Sequence, residues 1–270
     1  MPIIVRMIDI KQRSKPSFVP LKNQEYMLTL LKKNVNLSKN LLVLGIQRFY
    51  LPIMAGGRLL TRFNFLGILL WSLHLYPEIP QYNHYFPRFK LFQSTGIMPA
   101  HPQSITEFLR YMSMEGKSRS PPAVQREINI AEAWYWRSRA QALLAIRPII
   151  FPDHSCSSSP PPKIPKQLKD MIQQMPEAIA QASVRAQESQ LISKVKDNDF
   201  GVDLGGIEEE GTGIVAYKDL PSEQHEQMKM LAEYRMLAFG WLTGRADWDA
   251  DTNELGYINP ISAIWAPSNN

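Results

Sequence analysis

Apolar residues recur three and four positions apart along the second half of the chain, and in no steady register along the first. The clearest run is "SPPAVQREINIAEAWYWRSRAQALLAIR". Ile128, Ala131, Tyr135, Ser138 and Ala142 make one stripe, and Trp134, Gln141 and Leu144 widen it. That period predicts a helix over 122–147, with Ser120 as cap, Pro121 and Pro122 in the first turn and Pro148 beyond its end. Aromatic residues on several sides of it, Trp134, Tyr135 and Trp136, predict a helix enclosed by neighbours. "HPQSITEFLRYMSMEG" predicts a helix over 104–115, with Ser104 and Glu107 in capping-box positions, Ile105, Phe108, Leu109 and Met112 on one face, and Gly116 as a stop. Helices are also expected over 166–195, with Pro176 opening its second part, and over 221–243, ending at Gly244. The Gly-rich acidic stretch between them reads as a long loop with one short hairpin, "GVDL" against "GIVAY". The fold class is therefore mainly α: a helical, bundle-like domain.

The N-terminal pattern differs. Residues 21–33 suit a short helix with a basic last turn. "FNFLGILLWSLHLY" (63–76) is apolar but short: a membrane-spanning helix needs about 20 apolar residues. Arg58 and Arg62 precede it, and Pro77 and Pro80 follow. A buried helix or an interfacial segment suits it better, and 41–76 is the stretch through which a membrane surface would be met. Two regions are expected: a basic, acid-poor apolar segment over 1–98 and a helical domain over 99–270, the latter interrupted by the Ser/Pro-rich loop 151–165.

Charge sharpens that division. Residues 1–120 hold 16 Lys/Arg and 5 Asp/Glu, a net of +11, whereas 121–270 hold 14 and 20, a net of −6. The basic residues do not line one helix face, so nucleic acid is not the expected partner. Cys156 is the only cysteine, which excludes a disulfide framework and favours an intracellular, cytoplasmic setting. "MPIIVRMIDIKQRS" has no secretory pattern, and Pro2, Pro16 and Pro20 interrupt a mitochondrial one.

Candidate chemistry is sparse. "LGGIEEEGTGIV" lacks GxGxxG, and its three glutamates would repel phosphate. The five histidines have no HExxH or HxH spacing, and no GxSxG occurs. Asp247, Asp249, Asp251 and Asn253 match four ligand positions of a calcium loop. The required turn glycine is Thr252, however, and the bidentate glutamate is Ile258, so they read as the polar exit of a helix. A buried Arg137 or Arg139 would need a carboxylate, with Glu132 or Glu233 the nearest choices. Glu132, Arg139, Glu233 and Arg235 are the candidate catalytic set if the chain is an enzyme with a carboxylate/Arg pocket. No cofactor is expected.

One resemblance rests on several spaced motifs: Asp199-Phe200, Tyr217-Lys218-Asp219-Leu220, then Arg235, Ala238, Trp241 and Leu242 on one helix, then Trp248-Asp249 and Asp251-Thr252. Their order resembles the signature of a largely bacterial family known only as a domain of unknown function, and "AEAWYWRSRAQAL" is similar to its upstream helix. The resemblance covers roughly 100–255. It implies a helical fold in which Trp134, Trp136, Trp241 and Trp248 are structural, and no catalytic residues. A non-enzymatic scaffold or protein-interaction module is the leading expectation; a hydrolase-like pocket or a peripheral membrane protein is the alternative.

Overall fold

The structure, a computed structural model, describes residues 56–96, 106–151 without 109, 112–113 and 115–117, 164–205, 213–258 without 248–249, and 264–267. Cys156, Trp248, Asp249 and the acidic loop tip 206–212 lie outside these residues, as does half of the helix expected over 104–115.

The elements are α1 (Gly56–Ser72), α2 (Arg88–Thr95), α3 (Pro121–Ala145), α4 (Arg147–Ile150), α5 (Lys166–Glu188), β1 (Val195–Lys196), β2 (Asp199–Asp203), β3 (Ile214–Ala216), a 3-10 turn Tyr217–Asp219, α6 (Ser222–Leu242), a 3-10 turn Thr252–Glu254 and α7 (Leu255–Ile258). The mainly α expectation holds, with one small antiparallel sheet in the order β1-β2-β3. The expected hairpin is present, pairing Gly201 with Ala216, Val202 with Val215 and Asp203 with Ile214. β1 adds a second hairpin through Asp197 and Asn198 at φ 50 and 60. Both residues are left-handed, the geometry of a two-residue type I′ turn.

α6 is the central element, packed on α1 on one side and α3 on the other, while α3 also packs on α5. Two neighbours explain why its last turns bury Arg235, Met236, Leu237, Ala238, Phe239 and Gly240 in succession. α3 is enclosed in the same way and buries Ala133 through Ser138 without a break. α5 shows the opposite pattern, a single buried stripe of Ile172, Met175, Ala178, Ile179, Ala182, Ser183 and Ala186.

Two boundaries differ from expectation. α5 runs through Pro176, which faces solvent, rather than restarting there. An interior proline costs about 3 kcal/mol, and the continuous buried stripe on the opposite face outweighs it. α5 also stops at Glu188 instead of reaching 195: Gln190 turns left-handed (φ 56) and Leu191 and Ile192 fold inward. α1, which precedes residue 99, packs on α6. Phe63, Ile68, Leu70 and Trp71 of α1 are buried, Trp71 meets Phe239 edge-on at 6.3 Å, and Phe65 lies 6.1 Å from Trp241. Trp71 and Phe65 thus meet α6, while Phe63 meets Phe92 of α2. No helix among the described residues is long and apolar enough to cross a membrane.

Candidate functional site

The sequence brings charge into the core at two places, and different elements satisfy each. Arg137 lies on α3 with no exposed surface. Its Nε donates to Asp199 Oδ1 and its Nη2 to Asp199 Oδ2, both at 2.6 Å. Asp199 opens β2 and also accepts the backbone N–H groups of Phe200 (2.7 Å) and Lys218 (2.9 Å). The guanidinium lies 4.4 Å from the Tyr217 ring centroid, and its Nη2 also reaches Gln141 Oε1 at 3.1 Å. One ion pair thus ties α3, β2 and the 3-10 turn together. A buried arginine needing a carboxylate was expected; the partner is Asp199, and neither Glu132 nor Glu233. Asp199 wins because the type I′ turn and the β2–β3 pairing deliver its carboxylate to the α3 surface.

Arg235 on α6 is equally buried, and no carboxylate among the described residues forms an ion pair with it. It donates instead to three carbonyls of the loop between α1 and α2: Nη1 to Pro80 (2.7 Å), Nη2 to Gln81 (3.2 Å) and His84 (2.9 Å). Its head stacks 4.3 Å from the Tyr82 ring, and Tyr82 stacks in turn on Trp134 at 5.6 Å and 13°. Arg119 grips the same loop from its other end, donating to Trp71, Tyr76 and Pro77. The loop has irregular backbone and three prolines, Pro77, Pro80 and Pro87, so its carbonyls lack regular partners and two guanidiniums supply them. Glu127 balances this positive centre. Burial raises its carboxyl above the usual range, while Arg126, Arg235 and Arg119 act in the other direction. Burial likewise lowers Arg235 and raises Tyr82. Arg137 Nη1 and Arg235 Nε make no hydrogen bond.

The four residues singled out as a catalytic set point to different partners. Glu132 faces Arg245 at 3.9 Å. Glu233 is half-buried; burial raises its carboxyl, with Lys229 and then Arg139 opposing that shift and Glu226 adding to it. Arg139 lies over Tyr135 at 5.9 Å, and Arg235 faces the 80–84 loop. Of the four, Glu233 and Arg139 come within electrostatic reach of each other. Glu132 meets a residue beyond the far end of α6.

Of the aspartate series, Asp247 and Asp251 are described. Asp247 is exposed, and Asp251 begins the next element: its Oδ1 accepts Asn253 N–H at 2.6 Å while Glu254 Oε1 accepts Asp251 N–H at 3.1 Å. That is a capping box, so Asp251 opens a turn instead of trailing from α6. No group of His, Cys, Asp or Glu among the described residues could hold a metal ion. Trp134 and Trp136 are buried and Trp241 is half-buried.

Fold and site together define a mainly α protein with a small antiparallel sheet, centred on two buried arginines. No family model, curated protein or solved structure matches the chain.

Proposed function

We propose that the chain is a non-enzymatic, intracellular interaction module, a helical scaffold that presents surfaces to other molecules. The observation that carries this reading is the use made of its buried charges. Arg137 donates from Nε and Nη2 to Asp199 and Gln141, Arg235 donates from Nη1 and Nη2 to loop carbonyls, and both side chains are fully buried, so neither guanidinium is open to a substrate. The resemblance to the family of unknown function is part of the proposal. Seven of its motif residues, Asp199, Phe200, Tyr217, Leu220, Arg235, Ala238 and Leu242, are buried, which suits residues that specify a fold, whereas Lys218, Asp219 and Asp251 are exposed. A cytoplasmic location accords with a single cysteine.

A second reading keeps Glu233 as a general acid with Arg139 as its charged neighbour, favoured by the desolvated Glu233 carboxyl and the electrostatic reach between the two. One experiment separates the two. Wild type and Glu233→Gln are assayed against ester, phosphoester, glycoside and peptide substrates, alongside cross-linking of the full chain in cells. The module reading expects no turnover and the same discrete cross-linked partners for both proteins. Turnover that Glu233→Gln abolishes at unchanged Tm would overturn it.

A further inference from the structure

We propose that α2 is a peripheral docking element for an anionic lipid surface, with Phe89 as the inserted side chain. The helix is "RFKLFQST". Leu91 has no exposed surface, which fixes how the helix is rotated on the core. Phe89 lies two residues away, about 200° around the helix axis, so it must project outward. It is 76% exposed. Phe92, one turn further on, shares that side; it packs edge-on against Phe63 at 5.9 Å and still keeps 37% of its surface exposed.

An aromatic ring so exposed protrudes; it does not line a groove, and a protruding apolar group suits the interfacial layer of a bilayer better than the flat face of a protein. Charge points the same way. Arg88 and Lys90 flank Phe89, Arg88 being held at the surface 5.1 Å over the Phe63 ring. No acidic residue stands between Glu78 and Glu107. Basic residues beside an exposed aromatic are the combination that favours anionic headgroups over neutral ones. The inference is independent of the module reading and differs from a membrane contact through 41–76, because Phe63, Ile68, Leu70 and Trp71 of α1 are buried.

The test is co-sedimentation of the full chain with vesicles of phosphatidylcholine alone or enriched in phosphatidylserine, with Phe89→Ser, Lys90→Glu and Ile149→Ser as variants. Ile149 is 64% exposed on α4 and serves as the apolar control. Wild type is expected to partition onto phosphatidylserine vesicles, and less so at high salt. Phe89→Ser should weaken partitioning by about ten-fold or more and Lys90→Glu by at least about five-fold, while Ile149→Ser leaves it unchanged. All three surface variants should keep the wild-type Tm. Absence of binding, equal binding to neutral vesicles, or wild-type binding by Phe89→Ser would overturn the proposal. So would conversion of an oligomer to a monomer by Phe89→Ser in sedimentation velocity, because the face would then belong to a protein contact.

Discussion

Replacing Arg235 with Met removes the guanidinium while keeping an unbranched apolar stem of good helix propensity. Three charge-assisted hydrogen bonds are lost, at 2.7, 2.9 and 3.2 Å. Each is worth about 1.5–3 kcal/mol, and the stacking on Tyr82 adds about 1–2 kcal/mol. Against this, the buried charge no longer has to be desolvated, a saving of several kcal/mol. Gln81 and His84 are exposed, so their carbonyls can turn to water. The balance is a loss of about 2–4 kcal/mol, a large share of the 5–15 kcal/mol typical of a domain. Arg235→Lys is expected to be no better than Met: an ammonium keeps the charge buried but cannot reach three carbonyls in fork geometry. Guanidinium chloride unfolding followed by far-UV circular dichroism gives the global loss. Hydrogen exchange of peptides covering 76–87 should show the loop opening more than α3 does. A lysine variant as stable as wild type, or a methionine variant that loses under about 1 kcal/mol with unchanged loop exchange, would refute the clamp.

Gly67→Ala should cost about 1–3 kcal/mol, because its Cβ would fall within the Phe86 ring, and Phe86→Leu should recover part of that loss. Burial raises the carboxyls of Glu127, Glu132 and Glu233 above the unfolded value of 4.5. Between that value and the raised ones the folded chain binds more protons than the unfolded chain, so stability should fall as pH rises through that window. Urea midpoints read across mildly acidic pH check this, and Glu132→Gln should flatten the slope; a midpoint that rises steadily with pH there would contradict it. Asp251→Ala should cost about 0.5–2 kcal/mol as a lost cap, and millimolar calcium should leave the wild-type Tm unmoved in a thermal melt.

The helices were legible because their signals are local. Ser120, Pro121 and Pro122 mark the start of α3, Gly244 (φ 70) marks the end of α6, and the enclosed aromatic stretch 134–136 announced burial on all sides. The end of α5 was not legible: "SQLISK" carries neither Gly nor Pro, and only tertiary burial of Leu191 and Ile192 turns the chain inward. For the same reason a buried arginine on α3 could be foreseen but Asp199 could not, since 62 residues separate the pair and a two-residue turn sets its register. Arg235 stood in the candidate carboxylate/Arg set. Its actual acceptors are carbonyls of "PEIPQYNHYFP", whose prolines and lack of regular pairing were the available hint. Gly67 gave no sign from its neighbours that Phe86, on the far side of a loop, lies against it.

The central claim is that the buried charges hold the fold together. A double-mutant cycle on Arg137 and Asp199 tests it most directly, with Arg137→Met, Asp199→Asn and both together measured by equilibrium unfolding. Each single change leaves one buried group without its partner and should cost about 3–5 kcal/mol, while the double variant should recover at least about 2 kcal/mol of the summed loss. Single changes that cost less than about 1 kcal/mol, or losses that simply add, would contradict the account.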